Sequence, residues 1–190
     1  MQRSARLEKS TMPLRLTLAG ADTFVGSTLC ARCPLGVTGC CAAPPAFTWA
    51  DVGRIVGHGG RDWLGGEIEE GRLRPGPRGL VVERRPGADG PALRCVYHGP
   101  MGCTIPPERR SATCNDYVCE DALAEGAASD PGAASAARNA HERLAALYAR
   151  WDEELGARVR ARWPAGAPWD GRFLDMLGRE QAALARATDG

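Results

Sequence analysis

Only one lysine, Lys9, occurs in the 190 residues, and it lies in a polar N-terminal stretch of the kind that frays. The other twenty-three basic side chains are arginines. Without a placed lysine, a phosphate-binding Gly-Lys-Ser/Thr loop or a Schiff-base mechanism has no residue to work with. Histidine is nearly as scarce. His58, His98 and His141 never form a His-Glu-x-x-His pair, and no Gly-x-Ser-x-Gly elbow occurs, so zinc-protease and serine-hydrolase chemistries fall away.

Long apolar runs are missing too. The N-terminal segment from Leu16 to Ala21 is bounded by Arg15 and Asp22. It is shorter than the ~7 to 15 residues of a secretory signal core, so no secretion is expected. Nothing approaches the ~18 to 20 apolar residues that span a bilayer, so no membrane association is expected either. Charge of one sign is also absent in quantity. Residues 1–110 carry 15 basic and 10 acidic side chains and residues 111–190 carry 9 and 13, for a net +1. Arg72, Arg74, Arg78, Arg84 and Arg85 make the densest basic stretch, which reads as a solvated loop and strand edge. A nucleic-acid partner is not expected from so dilute a surface.

What remains is an ordinary folding composition, 44% hydrophobic and 25% charged. The chain is long enough to bury ~70% of its unfolded surface in a real core. Against that background stand eight cysteines, all between Cys30 and Cys119. They fall into two groups of four, Cys30 to Cys41 and Cys95 to Cys119, separated by 53 cysteine-free residues and followed by 71 more. In the reducing cytoplasm, the compartment expected here, clustered thiols serve as metal ligands or redox groups more readily than as structural disulfides.

The spacing of apolar residues predicts an α+β chain. Residues 1–25 read as a tail or edge strand, with Leu14, Leu16 and Leu18 alternating with polar positions. Residues 26–122 read as a small cysteine-rich module of short helices and a small antiparallel sheet. Thr48-Trp-Ala-Asp51 has the form of a capping box opening a helix with Trp49, Val52, Ile55 and Val56 on its inner face, ending near Gly57 or Gly59-Gly60. A second helix is expected over Asp62 to Glu70, and a loop over Leu73 to Gly79, where prolines and glycines accumulate. Leu80 to Arg84 and Ala92 to Tyr97 read as a hairpin across Pro86-Gly87 and Asp89-Gly90, followed by a tight turn at Gly99 to Gly102. Residues 131–190 read as a helical hairpin. Pro131 opens its first helix, and Ala137, Ala140, Leu144, Leu147, Trp151, Leu155 and Val159 form one stripe. Phe173, Leu177, Gln181 and Leu184 form the other. This hairpin is expected to dock on the cysteine module or to meet a protein partner or a second copy of the chain.

The first cysteine group, Cys30-Ala-Arg-Cys33 followed by Cys40-Cys41, begins with a Cys-x-x-Cys turn. Such a turn delivers two thiolates to one ion at a metal–sulfur distance of ~2.3 Å. Gly36 and Gly39 let the chain double back to add Cys40. Adjacent Cys40 and Cys41 are hard to place on one ion, because neighbouring side chains point apart. The second group is Cys95, Cys103, Cys114 and Cys119. Together the eight thiols suit two closed four-sulfur zinc sites, a bridged polynuclear site, or an iron–sulfur cluster with cysteines to spare. Thiolate softness excludes magnesium and calcium and leaves zinc and iron open. His98, inside the second group, is read as a spare ligand or a turn residue donating to one. Arg32, Arg109 and Arg110 are read as charge compensation for thiolates or as ordinary surface charge. Tyr97 and Tyr117 are expected in the core, and His58 at a helix end.

The order Cys-x-x-Cys, Cys-Cys, a distant cysteine, Cys103-Thr-Ile, an Arg-containing segment and Cys114-x-x-x-x-Cys119 resembles the YkgJ-like family of eight-cysteine, zinc- or iron-chelating domains, over about residues 28–120. The resemblance implies that Cys30, Cys33, Cys40, Cys41, Cys95, Cys103, Cys114 and Cys119 are all metal ligands. The expected function is therefore metal binding, with zinc or iron, including an iron–sulfur centre, as the cofactor. Two further readings stand beside it. One is an iron–sulfur-dependent redox or protein-modifying enzyme, suggested by larger flagellin lysine methylases with a similar cysteine domain. The other is an interaction module in which zinc is purely structural.

Overall fold

The computed structural model describes residues 13–33, 35, 39–87 and 90–189. The expectations for Lys9, for the turn glycine Gly36 and for Asp89 lie outside the described residues. The described residues form an α+β fold: four small antiparallel sheets, with two helices between the third and fourth strands and a run of helices at the C-terminal end.

The alternating leucines form β1 (Leu14–Thr17), paired with β2 (Phe24–Ser27). Leu14 is buried and Leu16 packs beside it, whereas Leu18 lies past the strand and is exposed. Two 3-10 turns, Thr28–Arg32 and Cys40–Ala42, carry the first four cysteines up to the short β3 (Phe47–Thr48). Next comes α1 (Trp49–Gly57), which opens on the expected capping box. The Thr48 hydroxyl accepts from the Asp51 N–H, and the Asp51 carboxylate accepts from the Thr48 N–H at 2.9 Å. Its successor α2 (Arg61–Glu69) begins one residue before the predicted start.

Two expectations for the middle of the chain are corrected. The segment expected as a loop forms β4 (Leu73–Gly76), which pairs with β5 (Gly79–Val82) in a three-stranded sheet of order β3-β5-β4. Pro75 is tolerated because β4 is an edge strand, where a missing N–H interrupts no ladder. Gly79, at φ +130°, lies so close to Phe47 that a Cβ would stand 2.0 Å from the Phe47 carbonyl oxygen, so only glycine fits there. The run from Leu80 to Arg84 is therefore not one hairpin arm. It divides at Glu83, and β6 (Arg84–Gly87) alone pairs with β7 (Gly90–Cys95). A tight turn then joins β8 (His98–Gly99) to β9 (Gly102–Cys103), with Gly102 at φ +97°.

Beyond β9 the chain is helical: α3 (Ala112–Asp116), α4 (Glu120–Ser129), α5 (Pro131–Arg162) and α6 (Gly171–Asp189). Neither of the two short helices was legible as a separate element. Pro131 sits in the first turn of α5, where the Asp130 carboxylate accepts from the Ala133 N–H at 2.9 Å. Most of the predicted stripe of α5 is buried, and so are Phe173, Leu177 and Gln181 of α6. The C-terminal helices spend these faces inside the chain, with α6 lying chiefly along α1.

Two apolar clusters result. The larger joins α1, α2, the three-stranded sheet, Tyr97 and the inner faces of α5 and α6, with Trp49 stacked on Trp169 and Phe173 set edge-on to both. The smaller gathers Leu14, Val25, Val118, Ala122, Leu123, Ala134 and Ala137. Close helix contact explains two glycines of the larger cluster. A Cβ at Gly53 would meet the Gln181 Cβ at 2.5 Å, and one at Gly156 would meet the Trp49 ring at 3.2 Å. Tyr97 is in the core as expected, but Tyr117 is exposed and sets its ring edge-on to His141, 5.3 Å between centroids. It follows the last residue of α3, at the point where the backbone turns extended, and so leaves the inward face of that helix.

Candidate metal centre

The cysteines are presented by turns and element ends. Cys30 lies within the first 3-10 turn and Cys33 caps it, while the Ser27 hydroxyl accepts from the Leu29 N–H at 3.1 Å and fixes the entry. Cys40 and Cys41 occupy the second 3-10 turn. Cys95 ends β7 opposite Arg84, and Cys103 ends β9 opposite His98. Cys114 is in α3, its N–H donating to the Ser111 hydroxyl at 3.3 Å, and Cys119 is the N-cap of α4. None of the eight is in a disulfide. Cys30, Cys40, Cys103 and Cys114 are exposed, and the other four are half-buried.

Several polar contacts draw these segments to one region. Arg84 Nη1 donates to the Ala42 carbonyl at 3.1 Å, tying the β6–β7 hairpin to the Cys40–Ala42 turn. The Thr104 N–H and hydroxyl both donate to the Tyr97 carbonyl, at 2.9 and 3.0 Å, closing the loop between Cys95 and Cys103. Arg32 pairs with Glu125 at 2.5 Å, fastening the Cys30 turn to α4. At Gly102, a Cβ would lie 3.8 Å from the Cys30 carbonyl oxygen, so the β8–β9 turn rests on the first cysteine turn.

The thiols feel one another accordingly. Burial pushes the Cys30 thiol up, and the charges of Cys40, Cys119 and Cys33 push the same way. Burial raises Cys95 as well, reinforced by Cys103 and Cys40. Although the Cys114 residue is exposed over part of its surface, its thiol is pushed up to about 12 by burial, with Cys103, Cys95 and Asp51 adding to it and the Ser111 hydroxyl opposing. A hydrogen bond between the Cys40 and Cys41 side chains lowers Cys40 to about 6 and raises Cys41. Every one of the eight cysteines belongs to this chain of mutual influence.

Among the described residues, no three Cys, His, Asp or Glu side chains are grouped so as to hold a metal ion. By its chemistry the donor set suits a thiophilic ion, since all eight thiols lie outside disulfides. Placing four sulfurs ~2.3 Å from one ion would require side-chain rotation and tightening of the turns that carry them.

The other candidates take different roles. His98 pairs in register with Cys103. His58 caps the end of α1, as expected, and its Nε2 lies 2.8 Å from Asp22 Oδ1. Arg109 donates to the His58 carbonyl at 3.0 Å, and Arg110 donates to the Ile105 carbonyl at 2.8 Å while standing over the Phe24 ring. With Arg32 paired to Glu125, each of the three arginines is engaged in a contact within the chain.

Sequence reasoning missed the buried Asp51 as a support of this region. Beyond capping α1, its second oxygen accepts from the Ala112 N–H at 2.6 Å, at the start of the helix that carries Cys114. Burial pushes the Asp51 carboxyl up, and the Ala112 and Thr48 N–H groups oppose that rise. No family model, curated protein or solved structure matches the chain. No helix among the described residues is long and apolar enough to cross a membrane.

Proposed function

We propose that this chain is a metal-binding protein whose eight cysteines hold a thiolate centre, either zinc or iron–sulfur. The observation that carries the reading is eight thiols outside disulfides, in two sequence groups 53 residues apart whose segments are tied to one another and to α4 by the Arg84–Ala42 and Arg32–Glu125 contacts. The likeness of the cysteine order to YkgJ-like chelating domains supports it. Cys30, Cys33, Cys40, Cys41, Cys95, Cys103, Cys114 and Cys119 are the ligands in this reading. The cytoplasm, where thiols stay reduced, is the compartment that suits them.

Bound there, the metal supplies a cross-link among turns that have little core of their own. Arg32, Arg84 and Thr104 hold those turns near one another, and Asp51 fixes the start of the Cys114 helix. Because binding energy in such sites is also folding energy, Cys33→Ser should lower metal content and melting temperature together. Elemental analysis and thermal denaturation of the purified variant check this. A variant that keeps its full metal content and its melting temperature would contradict a ligand role for Cys33.

A further inference from the structure

The end of α5 and the first turns of α6 line a depression of about 410 Å³ that contains no cysteine. The connection between the two helices shapes it. The Trp163 N–H donates to the Val159 carbonyl at 2.8 Å, and the Gly166 N–H donates to the Trp163 carbonyl at 3.0 Å, so the chain turns at once where α5 ends. Pro168 and Asp170, on either side of Trp169 in sequence, both face the depression. Trp169 stands at φ +52°, the one described residue other than glycine in the left-handed region. Such a backbone persists only where its surroundings impose it. Here Trp169 is stacked on Trp49 and set edge-on to Phe173. Part of the lining is apolar: Trp163, Phe173 and Met176, with the Trp163 ring edge-on to Phe173 at 5.1 Å.

The rest of the lining is charged, and its cations are not offset by its acids. Arg172, Asp175, Met176 and Arg179 follow i, i+3, i+4, i+7 spacing and share one face of α6. Asp175 accepts from Arg61 of α2 at 3.3 Å, and Asp170 accepts the Phe173 N–H at 2.8 Å. Glu180, next to Arg179 in sequence, is paired with Arg158. Arg162 lies over the Trp163 ring, its guanidinium carbon 4.9 Å from the centroid. Among the described residues, no carboxylate stands within ion-pair distance of Arg162, Arg172 or Arg179. Three guanidinium groups around one depression repel one another, and an anion between them relieves that repulsion. Their planar forks match phosphate oxygens two at a time.

We propose that this depression binds a small phosphate monoester carrying a planar ring, the chemistry of a nucleoside monophosphate. The phosphate, close to a dianion at neutral pH, is held by Arg162, Arg172 and Arg179. The ring lies against the apolar part of the lining. The volume falls within the ~300 to 1,000 Å³ of small-molecule sites. The inference goes beyond the metal-binding reading and uses none of its residues.

The test is calorimetric titration of the full-length wild-type protein with adenosine 5′-monophosphate, inorganic phosphate and adenosine. The expected result is saturable binding of the nucleotide, tighter than that of either fragment. Arg172→Gln and Arg179→Gln, both at exposed positions, should each weaken nucleotide binding about tenfold, the scale of one hydrogen bond to a charged group. Arg150→Gln removes the same charge from an exposed position of α5 outside the depression and should leave binding unchanged. Absence of saturable nucleotide binding by the wild type overturns the proposal with no variant needed. Equal weakening by all three variants also overturns it, since that marks diffuse attraction. So does phosphate or adenosine binding as tightly as the nucleotide, which removes the ring or the phosphate from the recognised chemistry. Metal content is measured separately on the same samples, so the metal-binding reading stands or falls apart from these outcomes.

Discussion

The Asp51 carboxylate accepts the Ala112 N–H at 2.6 Å, joining the first turn of α1 to the helix that carries Cys114. One buried side chain thus connects the larger apolar cluster to the cysteine region. Asp51→Ala strands the Ala112 and Thr48 N–H groups and should cost about 2–3 kcal/mol, the range for leaving buried donors unsatisfied. Asp51→Asn keeps an acceptor oxygen and should lose less. Denaturant unfolding of the two variants against wild type measures both, and equal losses would contradict the hydrogen-bonding role.

Glu67 offers a pH-dependent test. The Tyr97 hydroxyl donates to it at 2.6 Å and Arg72 Nη2 at 2.9 Å. Burial pushes the Glu67 carboxyl up, but these two partners outweigh it and hold it below the ordinary value. A carboxyl lower in the folded than in the unfolded state adds stability above the unfolded value of ~4.3, and that stability is lost as pH falls through the folded value. Glu67→Gln should therefore be less stable than wild type at neutral pH, by about 1–2 kcal/mol. The gap should narrow as pH falls below ~4. Melting curves across that range decide the matter, and a gap that widens in acid would refute it.

The approach of α1 to α6 depends on Gly53. An alanine there meets Gln181 and the Leu177 carbonyl, so Gly53→Ala should cost about 1–3 kcal/mol through overpacking. Gly57, one turn later in α1, has open space around its Cβ position. Gly57→Ala should cause no loss of stability, since alanine is the better helix former. Thermal denaturation of the pair separates a tight interface from a general intolerance of α1 to substitution.

Local grammar made much of the fold legible in the sequence. The Thr48–Asp51 cap, Pro131 and the stripes of α5 and α6 each rest on residues a few positions apart, and each forms where the sequence places it. Long-range competition was not legible. Leu80 to Val82 had two possible partners, and the choice of β4 depended on an edge position where Pro75 costs nothing. Tyr117 looked like core because it is aromatic, yet it sits where the backbone leaves α3. At the candidate site, the sequence displayed the eight cysteines in two groups. It could not display that Cys119 belongs beside the Cys30 turn, because that neighbourhood is made by Arg32 and Glu125, 93 positions apart.

The central claim is that these thiols hold metal. Elemental analysis of the anaerobically purified full-length protein, with its visible spectrum, tests it most directly. The account predicts at least one equivalent of thiolate-bound zinc or iron per chain, colourless for zinc and with sulfur-to-iron charge-transfer absorption for an iron–sulfur centre. Less than one equivalent of bound metal in protein whose thiols remain reducible would contradict it.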